Sequence, residues 1–172
     1  MNAAFLLIPI VVARYGLMPF LGREAKTRAS FFPPLEGKER LAYWVYQITI
    51  ILLLIMLFFF EINFQSLLNV IGVFIYAFGL IFYIVSKVQF AKPNRQGINN
   101  KGVYKYSRNP MYVSFFLYFL GITMIIGSWF YLFLIVILQI SVHFLILSEE
   151  RWCMNTFGEE FHRYMKHVRR YI

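Results

Sequence analysis

Long apolar stretches separated by short polar connections dominate the chain. They cover residues 3–21, 41–60, 67–88, 111–126 and 129–147. A transmembrane helix needs about 20 mostly apolar residues, and each stretch meets or approaches that length. The fourth and fifth stretches are joined only by Gly127 and Ser128, which leaves room for a tight helical hairpin and nothing more. The pattern therefore predicts an all-α integral membrane bundle of about five transmembrane helices.

The composition supports a membrane protein and excludes several other classes. Apolar residues make up 60% of the 172-residue chain and charged residues 15%, against about 45–50% and 25% in soluble domains. The single cysteine, Cys153, can form neither an internal disulfide nor a zinc site, so no metal is expected. The first stretch lacks the basic start and the small-residue cleavage site of a signal peptide, which favours a retained first span.

The positions of the basic residues predict the orientation of the bundle. Segments 22–40 and 87–108 and the tail after residue 147 hold five, six and five Lys or Arg, whereas segments 61–66 and 127–128 hold none. Five alternating spans place these cations on one face, which the positive-inside rule assigns to the cytoplasm. There Lys87 can snorkel to the interface. The net charge of +9 is better explained by contact with anionic lipid headgroups than by nucleic-acid binding.

The tail reads as one amphipathic helix over residues 149–168 on the cytoplasmic side. Apolar residues recur in it at spacings of three and four: Cys153, Phe157, Phe161, Tyr164, Met165 and Val168. Such a helix can simply lie on the membrane surface. No repeat or separate domain is visible. We therefore interpret residues 1–172 as one domain, with three spans in 1–88 and a loop, a helical hairpin and the tail helix in 89–172.

Polar residues at the predicted cytoplasmic end of the fifth span are candidates for chemistry. Glu149 and Glu150 follow a long uncharged run, and two carboxylates at a helix C-terminus are unfavourable unless the helix continues or a cation binds there. Gln139 and His143 lie one turn apart on the same helix and face the bundle or a wet cavity. For His143, an ordinary interhelical hydrogen bond is the leading alternative.

The loop "GINNKGVYKYSRNPMY" over residues 97–112 lies on the same predicted face. Its glycines and asparagines permit turns and a close approach of the backbone. Asn109 precedes Pro110, which disfavours helix at Asn109, whereas Pro110 can begin the next helix. By itself this loop is better explained as an ordinary turn that starts a span.

Together the two clusters resemble the isoprenylcysteine carboxyl methyltransferase family, which shares this region with the phospholipid N-methyltransferases. The resemblance covers about residues 89–170 and rests on the order and spacing of "GVY" at 102–104, "RNPMY" at 108–112, a two-span hairpin, "EE" at 149–150 and "FGEEF" at 157–161. The N-terminal half matches only as generic spans.

The resemblance implies S-adenosylmethionine as cofactor, S-adenosylhomocysteine as product, and a cofactor pocket formed by the loop, the last two spans and the tail helix. The cofactor-binding candidates that it implies are Gln89, Gln96, Gly97, Ile98, Asn99, Tyr104, Asn109, Pro110, Met111, Tyr112, Glu149 and Glu150. On the side of a lipophilic substrate the candidates are Arg108, His143 and Leu145. Carboxylates and aromatic faces suit a ligand that carries an ammonium and a sulfonium group.

Two departures from the carboxyl methyltransferase pattern leave the methyl acceptor open. Asn109 replaces the histidine of that pattern and resembles the phospholipid enzymes, and Leu145 stands where the pattern has an arginine associated with the prenylated substrate. The first hypothesis is carboxyl O-methylation of an isoprenylcysteine-like or other lipidic substrate. The alternatives are N-methylation of a phospholipid amine and a non-catalytic membrane scaffold. The sequence indicates no oligomeric state.

Overall fold

A computed structural model describes residues 1–17, 20, 33–62, 64–93 and 97–172. Within these ranges the chain is helical, with no strand, and it contains six helices: α1 (Ala3–Gly16), α2 (Lys38–Met56), α3 (Leu67–Phe90), α4 (Pro110–Ile126), α5 (Trp129–Phe157) and α6 (Glu159–His167). Short 3₁₀ turns follow α2 (Leu57–Phe59) and precede α4 (Gly102–Lys105). The all-helical bundle confirms the predicted fold class.

Three of the five predicted spans are long and apolar enough to cross a membrane, namely α2 with its following turn, α3 and α5. Helices α1 and α4 are apolar but shorter. Helix α4 begins at Pro110, because a proline at the first helical position loses no hydrogen bond, and it ends before Gly127, whose backbone is left-handed.

Apolar side chains project outward from the long helices at helical spacing. On α2 they are Leu41, Trp44, Ile48, Ile51 and Ile55, each at least half exposed. A soluble protein buries such a stripe against a neighbouring element, whereas a membrane protein leaves it to lipid. The exposed stripe therefore supports a lipid environment for this bundle.

Helices α3 and α4 pack closely because glycines stand at their crossing. A Cβ atom on Gly79 of α3 would lie 2.5 Å from the backbone nitrogen of Tyr118 in α4. Gly121 of α4 is pressed in the same way against the backbone of Tyr76. Small residues let helix backbones approach in membranes, where packing rather than water drives association.

Hydrogen bonds between chain connections show that successive apolar segments alternate in direction. The backbone N–H of Ile62 donates to Met1 O at 2.7 Å, and Asn69 Nδ2 donates to Ile125 O at 3.0 Å. The first residues, the α2–α3 connection and the α4–α5 turn therefore share one end of the bundle. The loop before α4 and the acidic pair lie at the other end. Which end faces the cytoplasm stays a prediction.

Lys87 does not snorkel to the interface. Its side chain is 5% exposed, and Nζ donates to the carbonyl oxygens of Ala13, at 3.1 Å, and of Arg14. These are carbonyls from the end of α1, which lack partners within that helix. Lys87 thus fixes α1 against α3, because a cation at a helix C-terminus satisfies both the carbonyls and the helix dipole.

The prediction of one tail helix over residues 149–168 is wrong. Helix α5 continues from the fifth span through Glu149 and Glu150 to Phe157, and the chain breaks at Gly158 before α6 begins. Gly158 has a φ of 54°, a conformation that glycine adopts without strain. The acidic pair therefore stands inside a continuous helix. The break turns α6 back over the loop before α4, so that Phe161 is buried there instead of facing lipid.

Candidate active site

A cavity of about 360 Å³, called here the loop pocket, lies between the loop before α4, the second half of α5, and α6. Eight of its lining residues are candidates from the sequence: Gly97, Ile98, Asn99, Tyr104, Arg108, Asn109, Glu149 and Glu150. Its volume lies in the usual range of small-molecule sites, about 300–1,000 Å³. The loop pocket therefore brings the loop and the acidic pair together around one space.

Gln89, near the end of α3, supports the loop from below. Its Oε1 accepts a hydrogen bond from the backbone N–H of Val103 at 2.7 Å. Gly102 packs against the same amide so closely that any side chain at that position would overlap it, and its φ of 57° also favours glycine. Gln89 lines a neighbouring polar cavity, not the loop pocket, and Asn99 stands between the two. Gln89 therefore holds the turn that carries Tyr104.

Two tyrosines join the loop to α6. Tyr104 is 5% exposed, and its carbonyl oxygen accepts a hydrogen bond from the hydroxyl of Tyr164 at 2.6 Å. Burial raises the pKa of Tyr164, so the hydroxyl keeps its proton and remains a donor. The bond holds α6 over the loop pocket.

Glu150 is held by two arginines. Arg108 Nη2 lies 2.9 Å from Glu150 Oε1, and Arg170 Nη2 lies 2.7 Å from Oε2. The hydrogen bond to Glu150 raises the pKa of Arg170. Arg108 also donates to the carbonyl oxygens of Met165, at 3.0 Å, and Val168, at 3.1 Å. Both oxygens of Glu150 are therefore engaged, and the cluster ties the loop to α5, α6 and segment 168–172.

Glu149 is bound differently from its neighbour. The hydroxyl of Tyr112, in the first turn of α4, donates to Glu149 Oε1 at 2.5 Å. No described residue bonds to Glu149 Oε2. Glu149 lines the loop pocket, and no arginine or lysine in the described part of the chain pairs with it. Of the two acidic residues, Glu149 is thus the one whose carboxyl group is available to a ligand.

Asn99 presents an unsatisfied acceptor to the same space. Its Nδ2 donates to Phe90 O at 3.4 Å, but Oδ1 is buried without a hydrogen-bond partner in the described residues. A buried acceptor left unpaired costs about 1–3 kcal/mol. A ligand with an N–H or O–H donor would remove that cost, so the pocket fits a ligand that carries both positive charge and donors.

A second cavity, called here the lateral cavity, lies between α4, α5 and segment 168–172 and has a volume of about 750 Å³. Its lining is mostly apolar and includes Val113, Phe116, Ile140 and Phe144. Ile140 is 58% exposed on the outer face of the bundle, so the cavity opens towards the surroundings of the apolar helices.

The polar side chains of the lateral cavity are Tyr112, Gln139, His143 and Tyr171. Tyr171 Oη lies 2.8 Å from His143 Nδ1. Because Tyr112 lines the lateral cavity and bonds to Glu149 of the loop pocket, the Tyr112–Glu149 pair forms part of the wall between the two spaces.

Several candidates from the sequence lie away from both cavities. Pro110 is fully buried at the start of α4, and the carbonyl oxygen of Met111 accepts from Ser114 Oγ at 2.7 Å. Leu145 is 1% exposed in the core and lines neither cavity, because it faces the bundle interior. Gln96 lies outside the described residues. Asn109, by contrast, lines the loop pocket, and it also contacts segment 168–172, since its Nδ2 donates to Arg170 O at 3.2 Å.

Sequence reasoning did not assign the aromatic side of the loop pocket. These lining residues are Phe90, Trp152, Cys153, Phe157, Phe161 and Tyr164. The sequence signal for this side of the pocket was the apolar face of the tail, a pattern that also fits a helix lying on the membrane surface. Only the break at Gly158 turns that face onto the loop.

The described chain is thus a helical membrane bundle in which a small-molecule pocket adjoins a laterally open apolar cavity. The model of the family described as phospholipid methyltransferase matches residues 45–160, and the chain belongs to this family. The match confirms the resemblance noted in the sequence and makes the protein a member of a family of membrane methyltransferases, which generally use S-adenosylmethionine. Neither the curated proteins nor the solved structures contain a match.

Proposed function

We propose that the protein transfers a methyl group from S-adenosylmethionine, held in the loop pocket, to a lipophilic acceptor that enters the lateral cavity from the bilayer. The Tyr112–Glu149 hydrogen bond is the observation that carries this proposal, because one partner lines each cavity. The two spaces meet at this pair, as a transfer between a polar donor and an apolar acceptor requires.

The residues of the loop pocket suit the proposed cofactor. When bound, S-adenosylmethionine supplies a methyl group on a positively charged sulfonium. Glu149 offers a carboxylate without a cationic partner in the described chain, and the faces of Trp152 and Phe161 offer further stabilisation of positive charge. Asn99 Oδ1 provides a waiting acceptor for an amino or hydroxyl hydrogen.

Positioning is the main contribution of the chain to catalysis in this proposal. Methyl transfer requires the acceptor atom to lie in line with the methyl group and water to be excluded. The Glu150 cluster and the Tyr164–Tyr104 bond fix α6 over the loop pocket. The apolar lining of the lateral cavity admits the acceptor chain without water.

For the acceptor we favour the amine of a membrane lipid. Arg108 and Arg170, the arginines of the site, are both engaged by Glu150. The lining of the lateral cavity contains no lysine or arginine within the described chain. An amine needs no cation to bind it, whereas a carboxylate in an apolar cavity does.

Carboxyl O-methylation of an isoprenylcysteine-like substrate is the second candidate. The spacing of the "GVY", "RNPMY", "EE" and "FGEEF" motifs favours it, and among the described residues His143, in its protonated form, is the one side-chain cation that the lateral cavity can offer. The two candidates therefore differ in what His143 must do.

The loop pocket is proposed to face the cytoplasm, where S-adenosylmethionine is made. The support is the distribution of basic residues in the sequence, since the segments that approach this end of the bundle carry nearly all of them.

The single cysteine allows a direct test of the cofactor site. Cys153 is half-buried in the lining of the loop pocket. We expect S-adenosylhomocysteine to slow its reaction with a maleimide in the detergent-purified protein, and calorimetry to give a matching affinity. Vesicles that contain phosphatidylethanolamine or acetyl-farnesylcysteine, with methyl-labelled cofactor, then identify the acceptor. If the cofactor neither binds nor protects Cys153, the proposal is wrong.

A further inference from the structure

The His143–Tyr171 pair is a hydrogen-bonded polar feature of the lateral cavity that the transfer to an amine described above does not use. His143 lies on α5 among apolar side chains, and Tyr171 reaches it from segment 168–172, with 2.8 Å between Oη and Nδ1. His143 is half-buried, and no described residue bonds to its other ring nitrogen, Nε2. A histidine that contributed only to packing would not be expected to line an open cavity in this way.

An amine acceptor requires a proton acceptor before it can react. An alkyl ammonium group has a pKa of about 10, by analogy with lysine, so nearly all of it is protonated at neutral pH and has no free electron pair. Histidine is the side chain that ordinarily exchanges protons near neutral pH. The lateral cavity thus contains a side chain, His143, of the type that can accept a proton from an ammonium group.

We propose that His143 is a catalytic residue that accepts a proton from the acceptor ammonium at Nε2, and that Tyr171 is a positioning residue that holds the required tautomer. This inference rests on the proposed function with an amine acceptor. In that tautomer Nδ1–H donates to Tyr171 Oη, which leaves the electron pair of Nε2 free. After proton transfer, Nδ1–H still donates to Tyr171 and stabilises the imidazolium.

The step balances in atoms and charge. The ammonium gives one proton to His143 Nε2 and becomes a neutral amine. The nitrogen electron pair then forms the bond to the methyl carbon while the carbon–sulfur bond breaks, and the electrons of that bond stay on sulfur as a thioether. The product is a methylated ammonium, and His143 returns its proton to water when the product leaves.

Other titratable groups nearby have different tasks. Tyr112, which faces the cavity from α4, donates a hydrogen bond to Glu149, and Glu149 itself lines the loop pocket, the proposed place of the cofactor. Arg170 is engaged with Glu150. Within the described chain, His143 and Tyr171 are the remaining titratable side chains of the lateral cavity.

The test compares His143→Asn with the unaltered protein. Asparagine keeps an amide nitrogen near the place of Nδ1 but cannot accept a proton. His167→Asn is the matched control, because His167 also bonds through Nδ1, to Arg163 O at 2.8 Å, but lies exposed at the end of α6. Each protein is assayed with phosphatidylethanolamine vesicles between pH 7 and 9, and cofactor affinity is measured separately by calorimetry.

We expect His143→Asn to lose roughly a hundredfold in turnover at pH 7, the usual contribution of a general base, with cofactor affinity unchanged. Its rate should recover as the pH rises, because the amine then loses its proton to water. A loss that does not recover with pH, or no loss at all, overturns the inference while the activity of the unaltered protein stands. An unaltered protein that binds cofactor but methylates no amine overturns the amine acceptor as well.

A second measurement does not depend on activity. Nitrogen-15 spectra of histidine-labelled protein distinguish a protonated Nδ1 from a protonated Nε2. We expect His143 to show the Nδ1–H form and Tyr171→Phe to convert it to a mixture. A His143 that is already protonated on Nε2 in the unaltered protein contradicts the proposed role.

Discussion

The hydroxyl of Tyr112 donates a hydrogen bond to Glu149 Oε1 at 2.5 Å, between a side chain of the lateral cavity and one of the loop pocket. The two residues come from α4 and α5, which are joined by a short turn at the opposite end of the bundle. Any movement that separates the ends of these helices at the site therefore breaks this bond.

Tyr112→Phe should lower methyl transfer at least about tenfold while the protein stays folded. The change removes one hydrogen bond to a charged group, and such bonds contribute about 1.5–3 kcal/mol. Initial rates with labelled cofactor measure the effect. Tyr106→Phe is the control, since Tyr106 is 76% exposed and the substitution should leave the rate unchanged. Equal rates for all three proteins would show that the wall between the cavities tolerates loss of the bond.

Glu149→Gln should lower the affinity for the cofactor, whereas Glu150→Gln should lower the thermal stability. Glu149→Gln removes the charge proposed to bind the cofactor, so its affinity for S-adenosylhomocysteine should fall more than tenfold with little change in thermal stability. Glu150→Gln leaves Arg108 and Arg170 without their anion. Because breaking a buried ion pair costs about 3–5 kcal/mol, the unfolding temperature should fall clearly. Calorimetry and thermal unfolding in detergent separate the two. The same response from both variants would contradict the distinct roles.

Gly79→Ala should destabilise the bundle by separating α3 from α4, since the new methyl group would meet the backbone of Tyr118. Overpacking of this kind typically costs about 1–3 kcal/mol. Gly16→Ala is the control, because its Cβ would lie at an ordinary 3.6 Å from Val12. Thermal unfolding of the two variants provides the measurement. A Gly79→Ala protein as stable as Gly16→Ala would mean that the helices can move apart without loss.

Cysteine labelling tests the orientation of the bundle. In a Cys153→Ser background, Gln65→Cys and Lys105→Cys place single thiols at exposed positions on opposite ends. A membrane-impermeant maleimide added to intact cells should label position 65, and it should label position 105 only after the membrane is opened. The reverse pattern would place the loop pocket outside the cell and remove the cytoplasmic assignment.

The sequence predicted the bundle and the two clusters of the loop pocket because both depend on patterns of neighbouring residues. Apolar runs of span length and the order of motifs are visible residue by residue. Lys87 shows why other features were not predicted. Its place at the end of an apolar run predicts snorkelling, but the end of α1 offers carbonyl groups nearby in space, 73 and 74 residues away in sequence.

Arg170 illustrates the same limit at the site. In the sequence it is one of several cations in a basic tail, and nothing local separates it from Arg169. In the structure Arg170 joins the Glu150 cluster, whereas Arg169 is exposed. The difference arises from the break at Gly158, which decides where α6 and segment 168–172 lie, and a single glycine in a helical pattern does not specify that geometry.

Helix α5 passes both cavities without a break, and it therefore fixes the positions of their polar groups along the helix axis. His143 and Glu149 stand six residues apart on one rigid helix, a rise of about 9 Å along its axis. The reacting atom of any acceptor must therefore sit at one level, whatever the length of the hydrocarbon chain that trails into the bilayer. The protein should therefore discriminate among acceptors by the size of their polar end, and the acyl length should not affect the rate of transfer.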